Sequence, residues 1–152
     1  MRLVRATDAE CEAMARAHAL AFDKPWRADE FEDLLEGEGI YGFLADDAEE
    51  ALGVILCRMA AGEVEVLTVG VTPQARRRGV ALALMLAALD VARQAGTVAA
   101  FLEVAVDNDA AITLYALMGF ARAGLRKAYY DRGPAGTTDA LVMRLDLTRA
   151  AA

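Results

Sequence analysis

Apolar and polar positions along the chain follow two periods, and the switches between them outline most of the elements. Leu3–Arg5 reads as a short first strand, and Thr7 or Asp8 can cap the helix that follows. Across Ala9–Phe22, Met14, Leu20 and Phe22 among many alanines predict a helix packed on a core. Lys24-Pro25-Trp26 breaks it, and Asp29–Glu36 predicts a second, short helix with Phe31, Leu34 and Leu35 on one side, ended by Gly37 and Gly39. Ile40–Ala45 and Ala51–Met59 read as two apolar strands joined by the acidic turn Asp46-Asp47-Ala48-Glu49-Glu50. Glu63–Val71 alternates, so that Val64, Val66, Thr68 and Gly70 are expected on one face and Glu65, Leu67, Val69 and Val71 on the other.

Gly79–Ala95 is a long Leu- and Ala-rich helix with Gly96 at its C-cap. Val98–Val106 is apolar except for Glu103, as a strand buried on both faces would be. Asp107 or Asn108 can cap a helix over Asp109–Met118 that Gly119 ends. Phe120–Lys127 and Asp139–Leu145 follow as strands, with a loop at Asp131–Thr138 between them. The order is strand, two helices, three strands, helix, strand, helix, two strands, without repeat or linker. It predicts an α/β fold with a mixed sheet, in one domain spanning residues 1–152.

Composition narrows the class. Of 152 residues, 57% are hydrophobic and 26% charged, the balance of a globular domain able to bury a core without metals or disulfides. The net charge of −7 argues against a general nucleic-acid binder. It suits a positively charged partner. No apolar run approaches the ~18 residues that span a bilayer. The N-terminus lacks the apolar stretch of a signal peptide, so a cytoplasmic location is expected. Cys11 and Cys57 stand apart, without metal-type spacing.

Against this acidic background Gln74-Ala75-Arg76-Arg77-Arg78-Gly79-Val80-Ala81-Leu82 stands out. It places three arginines and a glycine between a strand and a helix N-terminus, where cations are unfavourable unless an anion joins them. Loop amides before a helix suit phosphate, and Gly79 allows close backbone approach. The plainer alternative is a solvated charge run. Glu103 is costly if buried and unpaired. It either faces water or an arginine, or it is a carboxylate of raised pKa usable as a general base. Tyr115, in the stripe Ile112, Tyr115 and Met118, is either a core aromatic or an acid for a leaving thiolate. Gly70, inside a strand, marks either a bulge that splays two strands beside the arginine loop or a packing site. Asn108 reads as a cap, and His18, the only histidine, as part of an ordinary helix face. Trp26 is either a core anchor or the wall of a substrate groove.

Taken together, these residues resemble the GCN5-related N-acetyltransferase (GNAT) family over nearly the whole chain. The general signal is Val69-Gly70-Val71 followed by Arg76-x-x-Gly79-x-Ala81, similar to the acetyl-CoA motif Q/R-x-x-G-x-G/A. A narrower resemblance is to the ribosomal-protein alanine N-acetyltransferase (RimI-type) branch. It rests on Leu102-Glu103-Val104, Asn108, Ala110-Ala111-Ile112, Leu114-Tyr115 and Gly119-Phe120. It also rests on Ala17-His18-Ala19, Pro25-Trp26, Tyr129-Tyr130 and Asp139–Met143. The resemblance implies a mostly antiparallel mixed sheet of about six or seven strands with about four helices and a splayed central strand pair. It implies acetyl-CoA as cosubstrate, no metal, Glu103 as base and Tyr115 as acid. Val69, Gly70 and Val71 would contact the pantetheine, and Arg77, Arg78, Gly79, Val80, Ala81 and Leu82 the pyrophosphate, with Asn108 also on the cofactor. The implied acceptor is a protein N-terminus, possibly of a ribosomal protein starting with Ala. A small amine, amino acid or lysine side chain is the alternative, and a non-catalytic acyl-CoA-binding module is the alternative of another class. Ala105 and Asp107 depart from the branch's usual Arg and Ser, and Gly70 from a more usual Ala.

Overall fold

Three apolar strands in a row, Ile40–Asp46 (β2), Ala51–Ala60 (β3) and Glu63–Val71 (β4), form an antiparallel meander, because each tight connection returns the chain beside the strand it has just left. The computed structural model describes residues 1–48 and 50–148; Glu49, within the expected acidic turn, and residues 149–152 lie outside the described residues. Arg2–Arg5 (β1) adds to the outer edge of β2. Ala99–Ala105 (β5), Ala121–Asp131 (β6) and Thr137–Asp146 (β7) complete a seven-stranded sheet in the order β1-β2-β3-β4-β5-β7-β6. Every neighbouring pair is antiparallel except β4 and β5.

Helices cover both faces, as a sheet with two apolar faces requires. Cys11–Ala21 (α1) and Ala28–Leu35 (α2) bury Cys11, Met14, Ala17 and Phe31 against Leu44, Val54 and Leu56. On the opposite face Val80–Gln94 (α3) and Asp109–Leu117 (α4) pack Leu84, Met85 and Tyr115 against Ile55, Val66, Leu102 and Val104.

The parallel seam is short. β4 pairs with β5 only at Glu63↔Ala99, Val64↔Ala100 and Glu65↔Phe101, after which the two strands part. Beyond that point β4 stays with β3 as far as Val71, and β5 stays with β7 as far as Ala105↔Ala140. This is the expected splayed pair.

Two expectations about β4 need correction. Strict alternation fails, because Leu56 pairs with Thr68 and Cys57 with Val66, which leaves Leu67 as a bulge. Past it the faces exchange: Val69 and Val71 join Val64 and Val66 in the core under α3, while Thr68 and Gly70 turn toward α1. The bulge is at Leu67 and not at Gly70. Gly70 is the packing glycine of the alternative reading, since a Cβ there would lie 2.5 Å from the Phe22 ring.

β6 runs to Asp131, four residues past its expected end, and the intervening turn shortens to residues 132–136. Its register jumps from Arg126↔Ala140 to Tyr130↔Thr138, so Lys127, Ala128 and Tyr129 bow out of the ladder. The Ala128 N–H, at a residue with φ +52°, is satisfied by Asp139 Oδ1 at 2.7 Å. The bow puts Tyr129 and Tyr130 beside the splay.

Candidate active site

The splay opens into a cavity of about 530 Å³ that passes from one face of the sheet to the other. One wall is β4 at Val66–Val69, and the other is β5 at Leu102–Ala105. Tyr115 and Asn108 close it on the α4 side, and His18, Trp26 and Tyr130 on the α1 side. Val69, Glu103, Asn108 and Tyr115, four of the residues expected at the site, therefore share one cavity. Gly70 and Val71 continue β4 away from it toward the arginine loop.

Glu103 points out of β5 with 19% of its side chain exposed and meets Arg126 Nε at 2.6 Å. The lone carboxylate anticipated in an apolar strand is thus an ion pair, as the plainer reading had it, and it still borders the cavity. The Tyr129 phenol bonds to the same carboxylate, and that bond, more than its burial, raises its pKa above the usual value. Glu103 also borders a second cavity of about 410 Å³, beside the Arg58–Glu65 ion pair. Arg126 has no signal in the sequence: it is one cation among several in an exposed strand.

Tyr115 is a core aromatic that also borders the cavity. Its ring packs 6.0 Å from Phe120 in the core, and its edge borders the cavity. Burial, with Tyr130 nearby, pushes its phenol up to about 12. A phenol so shifted stays protonated near neutral pH and is able to donate a hydrogen bond. Asn108 Oδ1 accepts from the Ala111 N–H at 3.3 Å, the cap expected of it.

The arginine loop leaves β4 through a 3₁₀ turn at Pro73–Ala75 and enters α3 at Gly79, whose φ of +76° is left-handed. Arg77 also has a positive φ, +63°. Arg76, Arg77, Arg78 and Gly79 are exposed, Val80 is buried, and Ala81 and Leu82 sit in the first turn of α3 with Leu82 outward. Among the described residues no carboxylate pairs with any of the three arginines. Cationic side chains, free helix amides and a backbone without a side chain at its apex converge there, an arrangement that suits a polyanion.

His18 is not on an ordinary helix face. It is 2% exposed, stacked on Trp26 with ring centres 5.1 Å apart and packed against the tilted Phe22 ring at 4.3 Å. Its Nδ1 accepts from the Trp26 backbone N–H, and its Nε2 lies 3.0 Å from Thr68 Oγ1. Trp26 thus anchors this cluster and also borders the cavity. Its signal in the sequence is a histidine eight residues before the Trp of a Pro-Trp pair. Burial pushes His18 down to about 4 from an ordinary 6.5. In that interval the unfolded chain binds a proton that the folded one refuses, so stability present at neutral pH is lost as pH falls from 6.5 toward 4. The full loss is about 3 kcal/mol. Thermal melts at pH 7 and pH 5 are expected to show a larger drop in the wild type than in His18→Gln; equal drops would dissociate the effect from His18.

Two bridges fix the turn between β6 and β7. Arg132 makes a two-pronged contact with Asp107 at 2.6 and 2.9 Å, and Lys24 meets Asp131 at 3.3 Å. Each is exposed, so neither adds much to stability by itself. Together they link the α1–α2 connection, the β6–β7 turn and the start of α4 around the cavity mouth. Asp107, a departure from the family pattern, thus has a partner. No group of three or more His, Cys, Asp or Glu suited to a metal ion occurs among the described residues, and no described helix is long and apolar enough to cross a membrane.

A family model described as the acetyltransferase (GNAT) family matches residues 10–120. The chain is 48% identical over 84 residues to the N-alpha-acetyltransferase RimI of Mycobacterium tuberculosis, a match covering 55% of this chain and 49% of that protein. It is 29% identical over 133 residues to the [Ribosomal protein bS18]-alanine N-acetyltransferase of Escherichia coli, covering 88% and 86%. The chain thus spans about half the length of the first of these relatives and most of the second. The crystal structure of the ribosomal-protein-S18-alanine N-acetyltransferase from Escherichia coli superposes with a TM-score of 0.89 at 25% identity, covering 99% of this chain and 96% of that one.

Proposed function

We propose that this chain, which belongs to the acetyltransferase (GNAT) family and is an N-acetyltransferase, acts as one catalytic domain over residues 1–152 on the free α-amine of a polypeptide N-terminus, with acetyl-CoA as donor. The observation that carries the reading is the single cavity through the splay, with Glu103 on the α1 side and Tyr115 on the α4 side. An amine entering from one face and a thioester from the other would meet between a carboxylate and a phenol.

The cosubstrate's pyrophosphate would lie on the loop from Arg77 to Leu82, and its pantetheine along Val69, Gly70 and Val71, past Asn108. Ending the β4–β5 ladder at Glu65 leaves β4 without a partner on that side, so backbone groups there are available to it. An α-ammonium has a pKa of roughly 7.7–8.0, and a carboxylate, directly or through a water, suffices to take its proton. The amine nitrogen then attacks the thioester carbonyl, whose oxygen is polarised by a backbone N–H of β4 near Val69. As the C–S bond breaks, Tyr115 donates to the departing thiolate. Holding amine and thioester in line supplies much of the acceleration. None of these steps uses a metal.

A ribosomal protein beginning with Ala is the acceptor we favour, by analogy with the Escherichia coli relative, and a cytoplasmic setting accompanies it. The surplus of acidic residues suits a basic target. The test is acetyl transfer to peptides differing only in their first residue, with free amino acids and polyamines alongside. Transfer confined to Ala- or Ser-starting peptides is the expected result. Transfer to small amines would move the reading to the alternative acceptor class, and tight acetyl-CoA binding without transfer would favour a binding module.

The loop assignment has its own check. Gly79→Val places a β-branched residue at φ +76°, which such residues avoid, and adds bulk where the backbone would approach the pyrophosphate. Calorimetry is expected to show acetyl-CoA binding weakened by about tenfold or more, equivalent to ~1.4 kcal/mol. Wild-type affinity in that variant would remove the loop from the site.

A further inference from the structure

We infer that the Thr68 hydroxyl, oriented by His18, donates a hydrogen bond to the first peptide carbonyl of the acceptor, with His18 as the positioning residue behind it. The inference rests on the acceptor being a polypeptide N-terminus.

The assignment follows from the direction of each hydrogen bond. The Trp26 backbone N–H is a donor and lies 3.0 Å from His18 Nδ1, so Nδ1 carries the lone pair. A buried neutral ring must then carry its proton on Nε2. That N–H donates to Thr68 Oγ1 at 3.0 Å, which fixes the hydroxyl as the acceptor of this bond. Its own hydrogen must point elsewhere. Among the described residues no acceptor for it is found, and Thr68 borders the cavity.

The Leu67 bulge is what places the group there. With unbroken alternation Thr68 would share a face with Val64 and Val66, under α3; the extra residue turns it to the α1 side, beside Trp26. An acceptor on that side offers two polar groups near its end. The α-amine must keep its lone pair for attack, so it is a poor target for a donor. The carbonyl of the first residue is an acceptor with no such conflict. A hydroxyl pinned by a buried imidazole offers that hydrogen with little freedom to lose on binding.

The experiment is steady-state kinetics with an Ala-starting peptide on the wild type, Thr68→Val and Thr68→Ser, acetyl-CoA being varied separately. Thr68→Val keeps the shape and loses the hydroxyl. It is expected to raise the peptide KM by about five- to tenfold, with kcat and the acetyl-CoA KM near wild type. Thr68→Ser is expected to restore the wild-type KM. A peptide with a thioamide at its first bond, a weaker acceptor, should raise KM in the wild type and have no further effect in Thr68→Val. Should Thr68→Val melt early, Thr68→Ala is measured in its place, with the same split expected. An unchanged peptide KM would overturn the inference, as would a fall in kcat alone, which would put the hydroxyl on the thioester. Absence of transfer to any peptide by the wild type would be distinct: the acceptor reading fails first, and the inference falls with it.

Discussion

Replacing Glu103 by Gln is expected to lower kcat at pH 7 by about 10²- to 10³-fold while leaving acetyl-CoA affinity close to wild type. The amide keeps the side chain's length and its place in the wall of the cavity but cannot take a proton. The pH dependence separates that role from a structural one. Below its pKa of roughly 7.7–8.0 the acceptor amine is mostly an ammonium and needs a base; above it, a growing fraction arrives already neutral. The deficit of Glu103→Gln is therefore expected to shrink as pH rises from 7 to 9.5. A deficit of constant size would place the loss elsewhere, and Arg126 is the obvious site, because the substitution removes the anion 2.6 Å from its Nε. Arg126→Gln discriminates further: it leaves a carboxylate able to accept a proton, so its loss should be smaller and should not fade at high pH.

Tyr115→Phe is expected to cost about 10²-fold in kcat with acetyl-CoA binding retained. A thiolate leaving group has a conjugate pKa of about 8.5, and a phenol pushed up to about 12 is the weaker acid of the two. Complete proton transfer from tyrosine to a free thiolate is thus uphill. In the proposed reaction the group serves best as a hydrogen-bond donor while negative charge grows on sulfur, and a preorganised donor needs no more than that. The same value means Tyr115 contributes no alkaline limb to the rate below about pH 11, so loss of activity above neutrality belongs to another group. Phe keeps the ring against Phe120, and the melting temperature should change little. A variant that unfolds early and binds acetyl-CoA poorly would assign Tyr115 to the core alone.

Much of this site is legible from the residues themselves. β4 spans Glu63–Val71 as its alternation predicts, and Glu103, the single charge in an apolar strand, borders the cavity. What the sequence hides is parity and partnership. Val, Leu and Thr all suit a strand, so nothing in Val66-Leu67-Thr68-Val69 marks which residue is the extra one. That single bulge decides that Thr68 faces α1 and Val69 faces α3. Gly70 misleads for a related reason: a glycine within a strand signals a bulge or a close approach, and only the Phe22 ring distinguishes them. His18 and Thr68 are fifty positions apart, and Arg126 finds Glu103 across β7, whose register alone brings the two strands together. Contacts of this kind depend on sheet order, which local pattern does not carry.

The β6–β7 turn teaches the same lesson. A loop over Asp131–Thr138 is the natural reading of Gly133, Pro134 and Gly136, yet β6 continues to Asp131 because three residues bow outward and the ladder resumes at Tyr130↔Thr138. Tyr129 reaches Glu103 only through that irregularity.

The central claim, transfer to an α-amine and not to a side chain, is tested most directly by a single peptide bearing both a free N-terminal Ala and an internal Lys. After incubation with acetyl-CoA, fragmentation mass spectrometry locates the added acetyl group. The account predicts one acetyl on the α-nitrogen, none on the lysine ε-nitrogen, and no product when the terminus is blocked beforehand. Acetyl on the lysine of the blocked peptide would contradict it.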